Sequence, residues 1–156
     1  MAADRQMRER VLAAIPQQPP FRFIDEILEL SDETVTSAYR FREDEFFYPG
    51  HFPGHPVTPG VILIETMAQA GLTALGIYQL LKEAPPGEKP PAVTPYFVFA
   101  DQVEFSRLVR PGERVIIKGE KIYFRRGNIK STVSITGEDG AAVCHGVLTG
   151  TGVNRS

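Results

Sequence analysis

The sequence has a single cysteine, three histidines and almost no net charge. Cys144 cannot form a disulfide framework within the chain, and its place in an apolar run is typical of a core residue rather than of a nucleophile. Seventeen basic against nineteen acidic residues give a net charge of −2, which excludes the basic footprint of a nucleic-acid-binding protein. We therefore expect no nucleic acid partner and a reducing, cytoplasmic location.

No continuous apolar stretch opens the chain, so no secretory signal is visible. Residues 1–16, MAADRQMRERVLAAIP, instead predict a short amphipathic helix that ends near Pro16. The length of 156 residues, with 42% apolar and 23% charged residues, suits one globular domain that covers residues 1–156.

One long apolar segment, from about residue 59 to residue 82, predicts a helix that is apolar over most of its circumference. Such a helix is either buried in a core or spans a membrane. Because a carboxylate is costly near the middle of a bilayer, Glu65 argues against a span, and we predict a buried helix. Glu65, Thr66, Gln69 and Thr73 recur at helical spacing and form one polar stripe. This stripe is either a solvent or subunit-contact face or the wall of an active site.

Strand-like runs lie on both sides of this helix. The runs cover residues 21–30, 34–41, 96–105, 114–124, 129–136 and 141–153. A proline-rich segment, 83–91, connects the helix to the third run and is typical of a stiff surface crossing. The order of two strands, a long helix and four strands predicts an α+β fold, with an antiparallel sheet packed on one helix.

The segment HFPGHPVTPGVILIE, residues 51–65, carries most of the chemistry. His51 lies in a Pro/Gly-rich loop, and Glu65 follows inside the helix. Thr58-Pro59-Gly60 predicts the helix start, with a hydroxyl N-cap, a proline at the first position and then a glycine. A base, an acid and free helix N–H groups are the parts needed to remove a proton next to a carbonyl and hold the resulting oxyanion.

The three histidines have alternative interpretations. His51 and His55 are four residues apart, a spacing that on a helix suits one metal ion. Pro53 and Gly54 between them and Pro56 directly after them argue against a helix, and no second cysteine or acidic cluster stands nearby, so we predict no metal. The residues alone leave open whether one of these histidines is catalytic or both are surface loop residues. His145, on a predicted strand, is expected to be structural or exposed.

The segment HFPGHPVTPGVILIETMAQAG resembles the active-site segment of the FabZ-type 3-hydroxyacyl-acyl-carrier-protein dehydratases, which have a hotdog fold. The resemblance extends from about residue 12 to residue 150 and includes Tyr96-Phe97-Val98, Pro111-Gly112 and Arg125-Arg126-Gly127. It implies an antiparallel six-stranded sheet wrapped around one long central helix. It also implies dehydration of 3-hydroxyacyl thioesters to trans-2-enoyl thioesters, in fatty-acid or related polyene or lipid biosynthesis.

The resemblance implies a role for each site residue. His51 matches the catalytic histidine and Glu65 the catalytic glutamate. Gly60 matches the glycine whose N–H polarises the thioester carbonyl, and Val61 follows it in the substrate-binding turn. The candidates for an acyl tunnel are Phe52, Tyr96 and Phe99. Phe99 stands where the family often has a smaller residue, and we expect it to narrow the tunnel.

The resemblance implies an acyl carrier protein as the partner that brings the substrate, and no metal or organic cofactor. It implies a homodimer, with a trimer of dimers as a further assembly that the family allows. Each site then lies at the dimer interface, with His51 of one subunit facing the partner subunit's Glu65. Two alternatives remain, a hotdog thioester hydrolase that activates water with a carboxylate and a non-catalytic acyl-binding hotdog protein. The pair of His51 and Glu65 beside Pro59-Gly60 argues against both.

Overall fold

Six strands pair into one antiparallel sheet in the computed structural model, which describes residues 1–85, 87–89 and 92–154. The order across the sheet is β1-β2-β4-β5-β6-β3, which leaves β1 and β3 at the edges. The strands are β1 Glu26–Leu30, β2 Thr34–Arg40, β3 Val93–Phe105, β4 Arg114–Arg125, β5 Asn128–Gly137 and β6 Ala142–Asn154. The predicted α+β fold with a six-stranded antiparallel sheet is confirmed.

A helix of 24 residues, α2 Gly60–Glu83, packs against this sheet. It is α-helical at both ends and widens to a π-helical turn over Gln69–Ala74. Its length and composition would suit a membrane span, but 67% of its most apolar window is buried inside the fold. The prediction of a buried core helix is therefore confirmed.

The π-helical turn is where the helix approaches the sheet most closely. A Cβ atom at Gly71 would lie 2.3 Å from Cγ2 of Val133 on β5, and one at Gly119 would lie 3.0 Å from Cα of Gly71. The Ser131 hydroxyl donates a 2.7 Å hydrogen bond to the Gly71 carbonyl. Glycines at these two positions allow the backbones of α2 and β4 to touch, which fixes the helix on the sheet.

The N-terminal part of the chain differs in one place from the sequence prediction. Helix α1 Arg5–Ala14 forms as expected, and the Asp4 side chain caps it by accepting from the N–H of Met7 at 2.8 Å. The first strand, however, begins at Glu26 and not at residue 21. Residues 21 and 23 bond to a helix side chain instead of a neighbouring strand, so that stretch cannot join the sheet.

The remaining strand predictions agree with the structure to within three residues at each end. The proline-rich segment 83–91 lies partly outside the described residues.

Candidate active site

His51 lies in a loop that is folded back on itself by backbone hydrogen bonds. The N–H of His51 donates to the Tyr48 carbonyl at 3.2 Å, and the N–H of Val57 donates to the His51 carbonyl at 3.0 Å. The ring atom Nδ1 lies 2.9 Å from the Val57 carbonyl oxygen. Because a carbonyl oxygen only accepts, Nδ1 must carry the hydrogen. In the neutral ring Nε2 is then unprotonated, which leaves it available as a base.

Two buried hydroxyl groups fix the ends of this loop. Tyr48 and Thr58 are each 4% exposed, and their hydroxyl oxygens are 2.7 Å apart. The N–H of Thr58 donates to the Val109 carbonyl at 2.9 Å, which attaches the loop to the body of the fold. Burial raises the pKa of Tyr48 to about 12, so its hydroxyl keeps its proton.

The helix start differs from the sequence prediction at Thr58. The structure has Pro59 as the N-cap and Gly60 as the first helical residue, without a side-chain cap. Thr58 does not cap because its hydroxyl is paired with Tyr48. The N–H groups of Gly60 and Val61 have no hydrogen-bond partner within residues 1–85, 87–89 and 92–154.

The surroundings of Gly60 leave little room for a side chain. A Cβ atom there would lie 3.1 Å from the ring of Phe105, closer than ordinary contact. The neighbouring Val61 side chain is 72% exposed. The first turn of α2 therefore presents two N–H groups beside an open, apolar surface, as expected for a site that accepts a developing oxyanion.

Glu65 lies one turn further along α2 and is largely buried. Desolvation by burial raises the pKa of its carboxyl, and a hydrogen bond from Gln69 opposes this rise to a smaller extent. Nε2 of Gln69 donates to Oε2 of Glu65 at 2.8 Å. The result is a carboxyl group that holds its proton to a higher pH than an exposed glutamate.

Gln69 connects the carboxyl to the N-terminal segment. This side chain is fully buried, and its Oε1 accepts from the N–H of Phe23 at 2.8 Å. Since Oε1 must accept there, Nε2 is the donor, and it bonds both Glu65 and the Phe21 carbonyl at 2.8 Å. Sequence analysis placed Gln69 in the polar stripe but missed this role. Only the helical spacing of four residues between Glu65 and Gln69 signalled it.

A cavity of about 370 Å³ opens from Glu65 along α2. Its wall on the helix consists of Glu65, Ala68, Leu72, Thr73, Gly76, Ile77 and Leu80, and β3 and β6 contribute much of the opposite wall. The lining is mainly apolar, so the cavity suits an alkyl chain with a reacting group at the carboxyl end.

The predicted tunnel residues separate into two groups. Tyr96 lines the cavity, and Phe52 and Phe99 do not line it within one chain. Phe52 is 50% exposed and stacks on the His51 ring at a centroid distance of 4.0 Å, and Phe99 is 66% exposed. The roles of Phe52 and Phe99 in a tunnel stay predictions.

His51 is not among the residues that line the cavity with Glu65. One chain therefore presents the predicted acid inside a cavity and the predicted base in a separate loop. The exposed strand β3 lies at an edge of the sheet and borders the same cavity.

The other titratable candidates lie apart from this site. Cys144 is buried, and burial raises the pKa of its thiol to about 12, as for an unreactive core residue. His145 is exposed and lies 3.3 Å from the Glu104 carboxylate. Across the described parts of the chain, no group of three or more His, Cys, Asp or Glu side chains is placed to hold a metal ion.

Comparison with solved structures supports the fold. The chain is similar to the dehydratase heterocomplex ApeI:P from Xenorhabdus doucetiae, with a TM-score of 0.76 and 19% identity over 93% of this chain and 91% of that one. It is also similar to a thioesterase from Pseudomonas aeruginosa, with a TM-score of 0.61 and 16% identity over 95% and 94% of the two chains. At these identities the likeness concerns the fold and does not decide the reaction.

Comparison of sequences identifies the family. The model of the FabA-like domain family matches residues 15–146. The chain is 36% identical to the 3-hydroxyacyl-acyl-carrier-protein dehydratase FabZ of Caldicellulosiruptor bescii over 141 residues, which cover 90% of this chain and 94% of that relative. By both measures, this chain belongs to the FabA-like domain family, whose hotdog fold it has.

Proposed function

We propose that this chain removes water from 3-hydroxyacyl thioesters on an acyl carrier protein, giving trans-2-enoyl thioesters. The observation that carries the proposal is Glu65, a largely buried carboxyl with a raised pKa at one end of an apolar cavity. The family assignment and the name of the similar FabZ protein from C. bescii support the same reaction.

His51 acts as the base in the proposed mechanism. The hydrogen bond between Nδ1–H and the Val57 carbonyl orients the ring and leaves Nε2 free. Nε2 takes a proton from C2 of the substrate, and the electron pair of that C–H bond becomes the C2–C3 double bond. A carbonyl-adjacent proton is only weakly acidic, so this step needs stabilisation of the enolate oxygen.

The start of α2 supplies that stabilisation. The N–H groups of Gly60 and Val61 and the positive end of the helix dipole are directed at the thioester carbonyl oxygen in the proposed complex. The missing side chain at Gly60 lets the oxygen come close to the N–H.

Glu65 acts as the acid. As the C3–O bond breaks, the proton of its carboxyl leaves with the hydroxyl group as water. Its raised pKa favours the protonated form that this step consumes. Gln69 binds Oε2 and leaves Oε1 for the substrate hydroxyl. Afterwards His51 loses its proton to solvent and Glu65 regains one.

We propose a homodimer in which each active site combines His51 of one subunit with Glu65 of the partner subunit. Two observations support it: one chain does not place His51 in the cavity with Glu65, and β3 is an exposed edge strand rich in aromatic side chains. Tyr96, Phe97, Val98 and Phe99 are each between 46% and 66% exposed. An unpaired, apolar edge of this length is a template for a second strand, which the partner's β3 would supply.

The test uses 3-hydroxyacyl thioesters and follows two products together. Absorbance of the enoyl thioester reports dehydration, and a thiol reagent reports hydrolysis. Enoyl product without free thiol is expected. Free thiol without enoyl product would support a thioester hydrolase, and neither product would support an acyl-binding protein. In line with a carrier-protein substrate and one unpaired cysteine, we also propose a cytoplasmic location.

A further inference from the structure

Gly76 is a helix-interior glycine that the packing of the fold does not require. A Cβ atom at this position would meet only Cε2 of Phe124, at 3.9 Å, which is ordinary van der Waals contact. At Gly71 in the same helix, the corresponding atom would lie 2.3 Å from Cγ2 of Val133 and would force that buried side chain to shift. Because glycine inside a helix is less stable than alanine, the missing side chain at Gly76 needs another explanation.

That explanation lies in the cavity. Gly76 lines it eleven residues after Glu65, and Leu80 lines it four residues further on. At 1.5 Å per residue, Gly76 is roughly 16 Å and Leu80 roughly 22 Å along the helix from the carboxyl. The cavity therefore continues past Gly76, and the absent side chain leaves this part of it open.

We infer that Gly76 is a specificity-determining residue that lets this chain accept long-chain 3-hydroxyacyl thioesters. The inference rests on the proposed dehydratase function and names the substrate length for the same site. Three backbone bonds of an extended chain span 3.3–3.6 Å, so an extended alkyl chain advances about 1.2 Å per bond. With C3 beside Glu65, the tail of a sixteen-carbon chain reaches Gly76, and a six-carbon chain ends near Ala68.

A larger side chain at position 76 would shorten the cavity. Helical side chains lean towards the N-terminus of the helix, so a leucine there would cover the wall beside Leu72, about one turn closer to Glu65. A six-carbon substrate would not reach this obstacle. A sixteen-carbon substrate would have to bend or leave its tail in water.

The experiment measures kcat/KM for six- and sixteen-carbon 3-hydroxyacyl thioesters with the unmodified protein, Gly76→Ala and Gly76→Leu. The ratio of the long to the short substrate should fall in that order, and by at least about tenfold in Gly76→Leu. Glu83→Leu is the matched control, because it adds a leucine at an exposed end of the same helix outside the cavity. Its ratio should be unchanged.

An unchanged ratio in folded Gly76→Leu would overturn the inference, because the substrate would then not use this part of the cavity. Failure of that variant to fold would also overturn it, because the open space beside Gly76 would then be absent. Calorimetric binding of hexadecanoyl-pantetheine and hexanoyl-pantetheine separates this inference from the proposed reaction. Absence of any dehydration by the unmodified protein would overturn the dehydratase. The role of Gly76 would still hold if the unmodified protein bound the longer thioester more tightly and Gly76→Leu abolished that preference. Equal binding of both thioesters by all variants would overturn the role of Gly76.

Discussion

Burial of Glu65 in the wall of the cavity disfavours its ionised form, and this has a cost for folding. A group whose pKa is higher in the folded than in the unfolded protein binds more protons when folded over the interval between the two values. Its stabilising contribution is complete at low pH and is lost as the pH rises through the raised pKa. The same property makes Glu65 a usable acid, so the chemistry and the stability of this chain are coupled at one residue.

The first prediction concerns this coupling. Glu65→Gln removes the ionisation but keeps the shape and the polar contact of the side chain. The free energy of unfolding of the unmodified protein, relative to Glu65→Gln, should decrease as the pH rises above the ordinary pKa of a glutamate and through the raised pKa of Glu65. Urea unfolding at several pH values measures the difference. A difference that stays flat or increases with pH would show that the carboxyl is not desolvated.

The second prediction concerns the base. His51→Ala should lower the rate of dehydration by at least ~10²-fold, the lower range for a positioned acid–base group. His55→Ala is the matched control, because His55 is in the same loop and is exposed. Steady-state rates on one 3-hydroxyacyl thioester decide between them. A larger loss for His55→Ala would mean that the other loop histidine is the base.

The third prediction concerns Gln69, which serves both folding and the acid. Gln69→Leu leaves the buried Phe23 N–H and the part-buried Phe21 carbonyl without their partner. The loss of a partner for the buried N–H alone should cost about 1–3 kcal/mol of stability. It also removes the hydrogen bond that lowers the pKa of Glu65. The alkaline limb of the kcat–pH profile should therefore move to higher pH.

A second buried glutamine on α2 provides the control for Gln69. Nε2 of Gln79 donates to the Asp32 carbonyl at 3.1 Å and makes no bond to Glu65. Gln79→Leu should lower stability and leave the pH profile in place. A shift of equal size in both variants would mean that general destabilisation, and not the bond to Glu65, moves the profile.

At the scale of elements, α2 has one part that packs tightly against the sheet and a later part that lines the cavity. Its π-helical turn touches the sheet through Gly71, and its later turns face open space at Gly76.

The fourth prediction follows from this contrast. Gly76→Ala should stabilise the protein by about 0.5–1 kcal/mol, the usual gain for alanine in a helix interior. Gly71→Ala should destabilise it by about 1–3 kcal/mol through overpacking against Val133.

Thermal unfolding of the two alanine variants measures this difference in sign. Both carry the same substitution in the same helix, so helix propensity changes equally. Destabilisation by Gly76→Ala would mean that the space seen beside Phe124 is filled in solution.

The same elements show what sequence alone predicts. Strand and helix bounds come from local periodicity and turn residues, and the structure confirms most of them. The predicted strand over residues 21–30 starts too early, because the backbone groups of Phe21 and Phe23 bond the side chain of Gln69, 46 residues away from Phe23. Thr58 has the sequence of an N-cap, but its hydroxyl is taken by Tyr48. Side-chain partners that come from distant segments leave no local signal.

At the scale of the whole molecule, the candidate site is incomplete in one chain. The sequence led to His51 and Glu65 because they share one short segment, but proximity in sequence did not predict proximity in the fold. Of the two, Glu65 lines the cavity and His51 does not. The exposed edge strand β3 contributes residues to that cavity, so a second copy that paired with this edge would lie beside it.

The last prediction tests this assembly directly. His51→Ala and Glu65→Gln should each be inactive as homodimers, because every site then lacks one catalytic group. When the two variants are unfolded, mixed in equal amounts and refolded, half of the dimers are mixed. In a mixed dimer one site carries both substitutions and the other carries neither. The mixture should therefore regain about a quarter of the activity of the unmodified protein.

Two measurements make the outcome decisive. Different affinity tags on the two variants allow mixed dimers to be purified, and these should have about half of the unmodified activity per dimer. A double variant, with both substitutions in one chain, is refolded with the unmodified chain as the control, and its mixed dimers should have no intact site if the residues act across the interface. Inactive mixed dimers of the single variants, together with active mixed dimers in the control, would mean that His51 and Glu65 act within one chain.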